Sequence, residues 1–248
     1  MNTNKLKFLI YKFPELGILI AVIMSFIIFN IADDSMADTS TLVRMATQGT
    51  CIGFAAYGMS YLMITGEIDL SSGAVAGLAA AVSGMMLDAG YSEITSYGAA
   101  LSVAALVGFL NSFMTLVLGI PSFFGTLGTS FAASGLTIWL LKGSWIYTGD
   151  YIPLLDLIFS PSFFLEFPWI FLFYIILIIF GDLLIRTSKL GTILKATGGN
   201  LLSAKIAGIN TNFVKTLCFL FTSINFGFAG ILVMGYSGTT DFSIGMDW

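Results

Sequence analysis

Seven apolar runs, near residues 16 to 32, 45 to 64, 73 to 89, 97 to 118, 122 to 141, 168 to 185 and 213 to 235, divide this chain. A helical crossing of a bilayer needs about 20 mostly apolar residues. The sequence therefore reads as all-α, a polytopic integral membrane protein with about seven transmembrane helices. Of its 248 residues 57% are hydrophobic and 10% charged, with a mean hydropathy of +0.94, which is too little polar surface for a water-soluble globule. No stretch is left over for a separate soluble domain, so 1–248 reads as a single transmembrane domain. The first run follows Lys5, Lys7 and Lys12 and has no small-residue cleavage site after it, so it reads as a retained span rather than a signal peptide.

The basic residues set an orientation. Three precede the first span, and five lie from Arg186 to Lys215: Arg186, Lys189, Lys195, Lys205 and Lys215. Both regions should be cytoplasmic. Six spans separate them, an even number, so charge bias and hydropathy agree on a cytoplasmic N-terminus. A single broken helix over 45 to 89 would leave five crossings and put the basic loop outside, so the runs at 45 to 64 and 73 to 89 must both cross or both turn back. On this reading Asp33, Asp34 and Asp38 belong to the first outer loop, and 142–167 is an extracytoplasmic loop.

Composition also excludes chemistry. There is no histidine, which removes Ser-His and Cys-His nucleophiles, His-ligated zinc and His-ligated haem. Cys51 and Cys218 both sit in apolar runs without a CxxC or Cys/His cluster, and read as packing residues rather than as a metal site or disulfide. Glycine and alanine crowd the run from Gly73 to Gly84, as close helix contact in lipid requires. The same crowding occurs in any polytopic protein.

Three stretches depart from plain spans. TGEIDLSSG, residues 65–73, places Glu67 and Asp69 between two apolar runs. A carboxylate at the bilayer centre costs about 2.5 to 3.5 kcal/mol, so both must face water, protein or backbone amides. Asp69, ahead of Leu70, Ser71 and Ser72, is read as a structural cap accepting from the free N–H groups of the third span, with a proton or cation site as the alternative. Glu67 receives no role. IPSFFGTLGT, residues 120–129, puts Pro121 in a first helical turn and Ser122, Thr126 and Thr129 on roughly one face. These hydroxyls serve either helix contact or a solute pathway, to which Gln48 and Asn111 would contribute from neighbouring spans. LGTILKATGGNLLSAKIAGI, residues 190–209, is basic and rich in small residues. Gly198 and Gly199 interrupt a helical pattern, Asn200 can cap a short helix and Gly208 can end it. That helix would carry Leu201, Leu202, Ile206, Ala204 and Ala207, a shape that suits either a plain surface helix or docking into a groove on a soluble partner.

In this order and spacing, GEIDLSSG, Asn111 with GIPSFFGTLGT, and LGTILKATGGNLLSAKIAGI resemble the permease subunits of ribose-type ABC importers, the monosaccharide branch of bacterial transport permeases. The resemblance covers the whole chain. It implies a multi-pass subunit of the bacterial plasma (inner) membrane that pairs with a second permease copy, identical or not. It also implies two cytoplasmic ATPase subunits and an extracytoplasmic sugar-binding protein as partners, with lipid as the surrounding and no nucleic acid. The family's ATPase-coupling contact falls on Gly198, Gly199, Asn200, Ala204, Gly208 and Ile209. No GxxxxGK[ST] loop is present, so the chain reads as a permease and not an enzyme, without a cofactor of its own, ATP being hydrolysed by partner subunits.

Some positions depart from the family. Ser134 stands where an arginine is frequent, and Ser72 where a valine is. The family pattern continues beyond Trp248 with further helices and a glycine-rich motif, so the chain reads as C-terminally truncated. The expected function is the transmembrane permease of an ATP-driven importer for a monosaccharide or similar small polar solute. The alternatives are an ion- or proton-coupled secondary carrier using Glu67 and Asp69, and a non-transporting truncated permease fragment.

Overall fold

The computed structural model describes residues 15–162, 166–246 and 248. Lys5, Lys7 and Lys12 of the basic start lie outside the described residues, as do residues 163–165 of the 142–167 loop. The described residues fall into two compact units, the first ending at Ala46 and the second running from Thr47 to Trp248.

Helices dominate both, and their ends follow local chemistry. In the first unit, α1 (Glu15–Ala32) is apolar all round, as a helix facing lipid can be. A 3-10 turn (Asp34–Ala37) follows, and the Asp33 carboxylate accepts from the Ser35 N–H at 3.0 Å. The helix α2 (Thr39–Ile64) carries the chain into the second unit. There follow α3 (Ser72–Asp88), α4 (Glu93–Leu116) and α5 (Ser122–Leu141). Ser92 caps α4 through the Thr95 N–H, and Pro121 stands immediately before α5, where it has no helical bond to lose.

Next come α6 (Pro153–Phe159), α7 (Trp169–Thr187), α8 (Lys189–Gly199), α9 (Leu201–Ile206) and α10 (Thr211–Ser237). The seven expected spans are thus found as seven helices, α1 to α5, α7 and α10. By length and composition α4, α5, α7 and α10 can each cross a membrane, while α3 and the apolar part of α1 are shorter. The protein is an all-α, multi-pass membrane protein.

The 142–167 segment is more ordered than a plain loop. Its strand β1 (Ile146–Tyr147) pairs antiparallel with β2 (Thr239–Thr240), Ile146 opposite Thr240. Leu154 donates its N–H to the Glu93 carboxylate at 3.0 and 3.1 Å, while Ile152 and Leu155 join Leu87, Ile170 and Phe226 in the main core. That core forms where α10 packs against α3 and α4, and α3 against α4 and α5. Small residues set the approach: a Cβ on Gly230 would collide with the Ala76 carbonyl, so the helices meet backbone to backbone.

The same contacts fix the depth of the connection from 65 to 71. Ala79, Ala104 and Gly227 meet at one point, a Cβ on Gly227 falling 2.6 Å from that of Ala104 and 3.4 Å from that of Ala79. At about 1.5 Å of rise per residue, α3 begins about 10 Å from this point, whereas the matching ends of α4 and α10 lie about 18 and 24 Å away along their axes. The connection joins this end of the bundle but is set in from it. Irregular backbone is tolerated at such depth only where protein or a cavity supports it.

Candidate functional site

The inset connection is where the sequence landmarks converge. It carries the two carboxylates of TGEIDLSSG, and they part company. Asp69 is fully buried, and its Oδ1 accepts from the Ser71 N–H at 2.8 Å and the Ser71 hydroxyl at 2.6 Å. Its Oδ2 accepts from the Asn111 amide nitrogen at 2.9 Å, which also reaches the Ser71 oxygen at 3.1 Å. The Asn111 carbonyl oxygen accepts in turn from the Thr129 hydroxyl at 2.7 Å. Three segments, the connection, α4 and α5, are thereby joined by one chain of hydrogen bonds, buried from Asp69 to Asn111, and both oxygens of the Asp69 carboxylate have donors.

This arrangement corrects the reading of Asp69 as the cap of the third span. Ser71 occupies the N-cap position of α3 and makes no side-chain cap bond. Asp69 lies two residues earlier, so its carboxylate turns back on Ser71 and across to Asn111 instead of reaching over the first helical turn. Its structural task is to hold the connection against α4.

The backbone of the connection is fastened by the hydroxyls of α5. Ile68 donates its N–H to Ser122 Oγ at 3.3 Å, and Leu70 donates to Thr126 Oγ1 at 2.9 Å. The Thr126 hydroxyl itself donates to the Ser122 carbonyl at 2.7 Å. Of the residues the sequence offers as a solute pathway, Asn111, Ser122, Thr126 and Thr129 are therefore gathered here, and the first three are buried. Gln48 is not among them and is exposed on α2. Ordered hydroxyls replace the water that would otherwise satisfy non-helical amides.

Glu67 points elsewhere. Its Oε1 lies 2.5 Å from Lys215 Nζ, with the two side chains 15% and 12% exposed. The pair links the connection to the second residue-turn of α10. Sequence reasoning used Lys215 only for orientation and gave Glu67 no role. The overlooked signal was position: Lys215 is the third residue of an apolar run, where a charge needs a partner.

The third landmark lies against the same connection. A Cβ on Gly198, in the last turn of α8, would collide with the Ile64 carbonyl and approach the Thr65 carbonyl carbon at 3.2 Å. Asn200 caps α9 by accepting from the Ser203 N–H at 2.9 Å. Gly208, at φ +83°, ends the segment in the left-handed region that favours glycine, and Ile209 donates back to the Ala204 carbonyl at 3.0 Å. Asn210 then caps α10 through the Phe213 N–H at 3.1 Å. Ala204 is buried at 3% exposure, whereas Leu202 and Ile206 are 70% and 80% exposed. The apolar surface that α9 presents outward is thus chiefly Leu202 and Ile206, with Leu201 less exposed, and not Ala204 between them.

An apolar groove of about 810 Å³ runs beside this region, lined by residues of α2, α7, α8 and α10 that include Tyr57, Tyr61, Leu194 and Phe221. Cys51 and Cys218 are free thiols in the packed interior.

Comparison with known proteins places these features in context. The model of the family described as branched-chain amino acid transport system / permease component matches residues 41–248. The autoinducer 2 import system permease protein LsrC of Escherichia coli is 30% identical over 224 residues, which cover 90% of this chain and 65% of that protein. The protein of the same name from Shigella flexneri matches to the same extent. That from Yersinia pseudotuberculosis is 29% identical over 221 residues, covering 89% of this chain and 62% of its own length. The chain thus spans less than two thirds of these curated relatives. No solved structure matches.

Proposed function

The chain belongs to the family of branched-chain amino acid transport system permease components, and from that premise we propose that it is the membrane subunit of an ATP-driven importer for a monosaccharide or similar small polar solute. Relatives named for autoinducer 2 import support the direction of transport and a small solute. ATP is hydrolysed by cytoplasmic partner subunits, a second permease copy completes the pathway, and an extracytoplasmic binding protein delivers the solute. The N-terminus and the 190–209 segment face the cytoplasm of a bacterial cell, as the lysine and arginine bias favours.

The observation that carries this reading is the form of α9. It is short, capped at one end by Asn200, closed at the other by Gly208, and turns Leu202 and Ile206 outward beside Lys205. Such a helix fits an apolar groove on a soluble protein. Movement of the ATPase subunits around nucleotide then shifts the bundle between outward- and inward-open states.

The test is co-purification of the full chain with the ATPase subunits of its own transport system, followed by uptake in vesicles. Leu202→Asp and Ile206→Asp should abolish association while the protein still inserts in the membrane. Uptake that collapses with the proton gradient and persists without any ATPase would replace this reading by a secondary carrier.

A further inference from the structure

The segment from Gly198 to Lys215 touches the inset connection at both of its ends. Before α9, Gly198 packs on the Ile64 and Thr65 backbone. After α9, Lys215 pairs with Glu67. Between these points the segment carries α9, the helix whose exposed face is proposed to meet the ATPase. The connection is fastened onward, by Ile68 and Leu70 to Ser122 and Thr126 of α5, and by Asp69 through Asn111 to Thr129 of α5.

From this juxtaposition, and resting on the importer reading above, we infer that the Glu67–Lys215 pair is a positioning element that carries displacement of α9 into the start of α5 through residues 65–71. The physical argument is one of stiffness. A largely buried ion pair and a backbone-to-backbone contact cannot stretch as a solvated loop can, so α9 cannot move far without drawing the connection with it. Apart from the turn bonds that join it to α2 and α3, which flank it in the chain, the backbone N–H groups of the connection that reach another helix, those of Ile68 and Leu70, both end on α5.

The experiment uses the full chain in vesicles with the ATPase subunits of its own system and Phe124→Cys as a reporter in the first turn of α5. Phe124 is 64% exposed, whereas the native thiols are buried and a chain lacking the reporter sets their background. The reading is the rate of maleimide labelling with and without ATP plus vanadate. In the otherwise unmodified chain the nucleotide should change that rate roughly tenfold, within the ordinary range of coupling between sites. Glu67→Gln combined with Lys215→Gln leaves no lone charge to disturb folding, and should retain the ATPase while losing the nucleotide response.

A nucleotide response retained in the double variant overturns the inference, as does loss of the ATPase, which would make the pair a support for docking. If the unmodified chain binds the ATPase but shows no response at Phe124→Cys, the importer reading stands and the route into α5 is wrong. If the unmodified chain binds no ATPase, the importer reading fails and the inference falls with it.

Discussion

Lys215 and Glu67, 148 residues apart in the chain, meet at 2.5 Å with both side chains largely shielded from solvent. Two helices and a broken connection had to be brought to one level for this to occur. A pair so placed is strongly asymmetric to mutation, because removal of one partner leaves the other charge buried.

Lys215→Gln alone is expected to lower stability by about 3 to 5 kcal/mol, as is Glu67→Gln alone, and the two together by far less. Thermal unfolding of the purified protein in detergent, followed as a double-mutant cycle, measures the difference. A loss in the double variant equal to the sum of the two single losses would show that the pair carries no interaction energy.

Asp69→Ala should cost more than an exposed carboxylate would, since it strands the Ser71 amide and the Asn111 side chain. Each buried donor left without an acceptor costs about 1 to 3 kcal/mol. Asp69→Asn, which keeps one carbonyl oxygen, is expected to lose less. Retained midpoints of unfolding for both variants would remove the bracing role assigned to Asp69.

Thr126→Val deletes the acceptor for the Leu70 N–H and should destabilise by about 1 to 3 kcal/mol, whereas Thr126→Ser should restore most of the loss. Hydrogen exchange at the Leu70 amide reports the same event directly, becoming faster in the valine variant alone.

Two adjacent glycines give a contrast that separates packing from flexibility. A Cβ on Gly198 would strike the Ile64 carbonyl, while one on Gly199 meets nothing within 4 Å. Gly198→Ala should therefore cost about 1 to 3 kcal/mol, and Gly199→Ala should be neutral or slightly stabilising. Proteolysis between α8 and α9 would accelerate only in the first.

The helices and their order were legible because the signal for them is local. The apolar run from 122 to 141 became α5 with those same limits, and the run from 213 to 235 became α10 with two residues more at each end. Asn200 and Gly208 act as read, since capping and a left-handed turn are decided within a few residues. The gathering of Asn111 with Thr126 and Thr129 was anticipated only as a polar strip. Asp69 reads as a cap because a carboxylate near a helix start is one by default, whereas its place two residues before the N-cap turns one oxygen to Ser71 and the nearness of Asn111 engages the other.

The sequence alone therefore determined that the chain is a bundle of apolar helices, the order in which they follow, and which short segment closes between Asn200 and Gly208. These follow from hydropathy and backbone preference over short distances. The tertiary structure decided the depth of the 65–71 connection, the separate partners of Glu67 and Asp69, and the exposure of Leu202 and Ile206 over Ala204. Those depend on where glycine and alanine let α3, α4 and α10 cross, which fixes the side chains within hydrogen-bonding reach of one another.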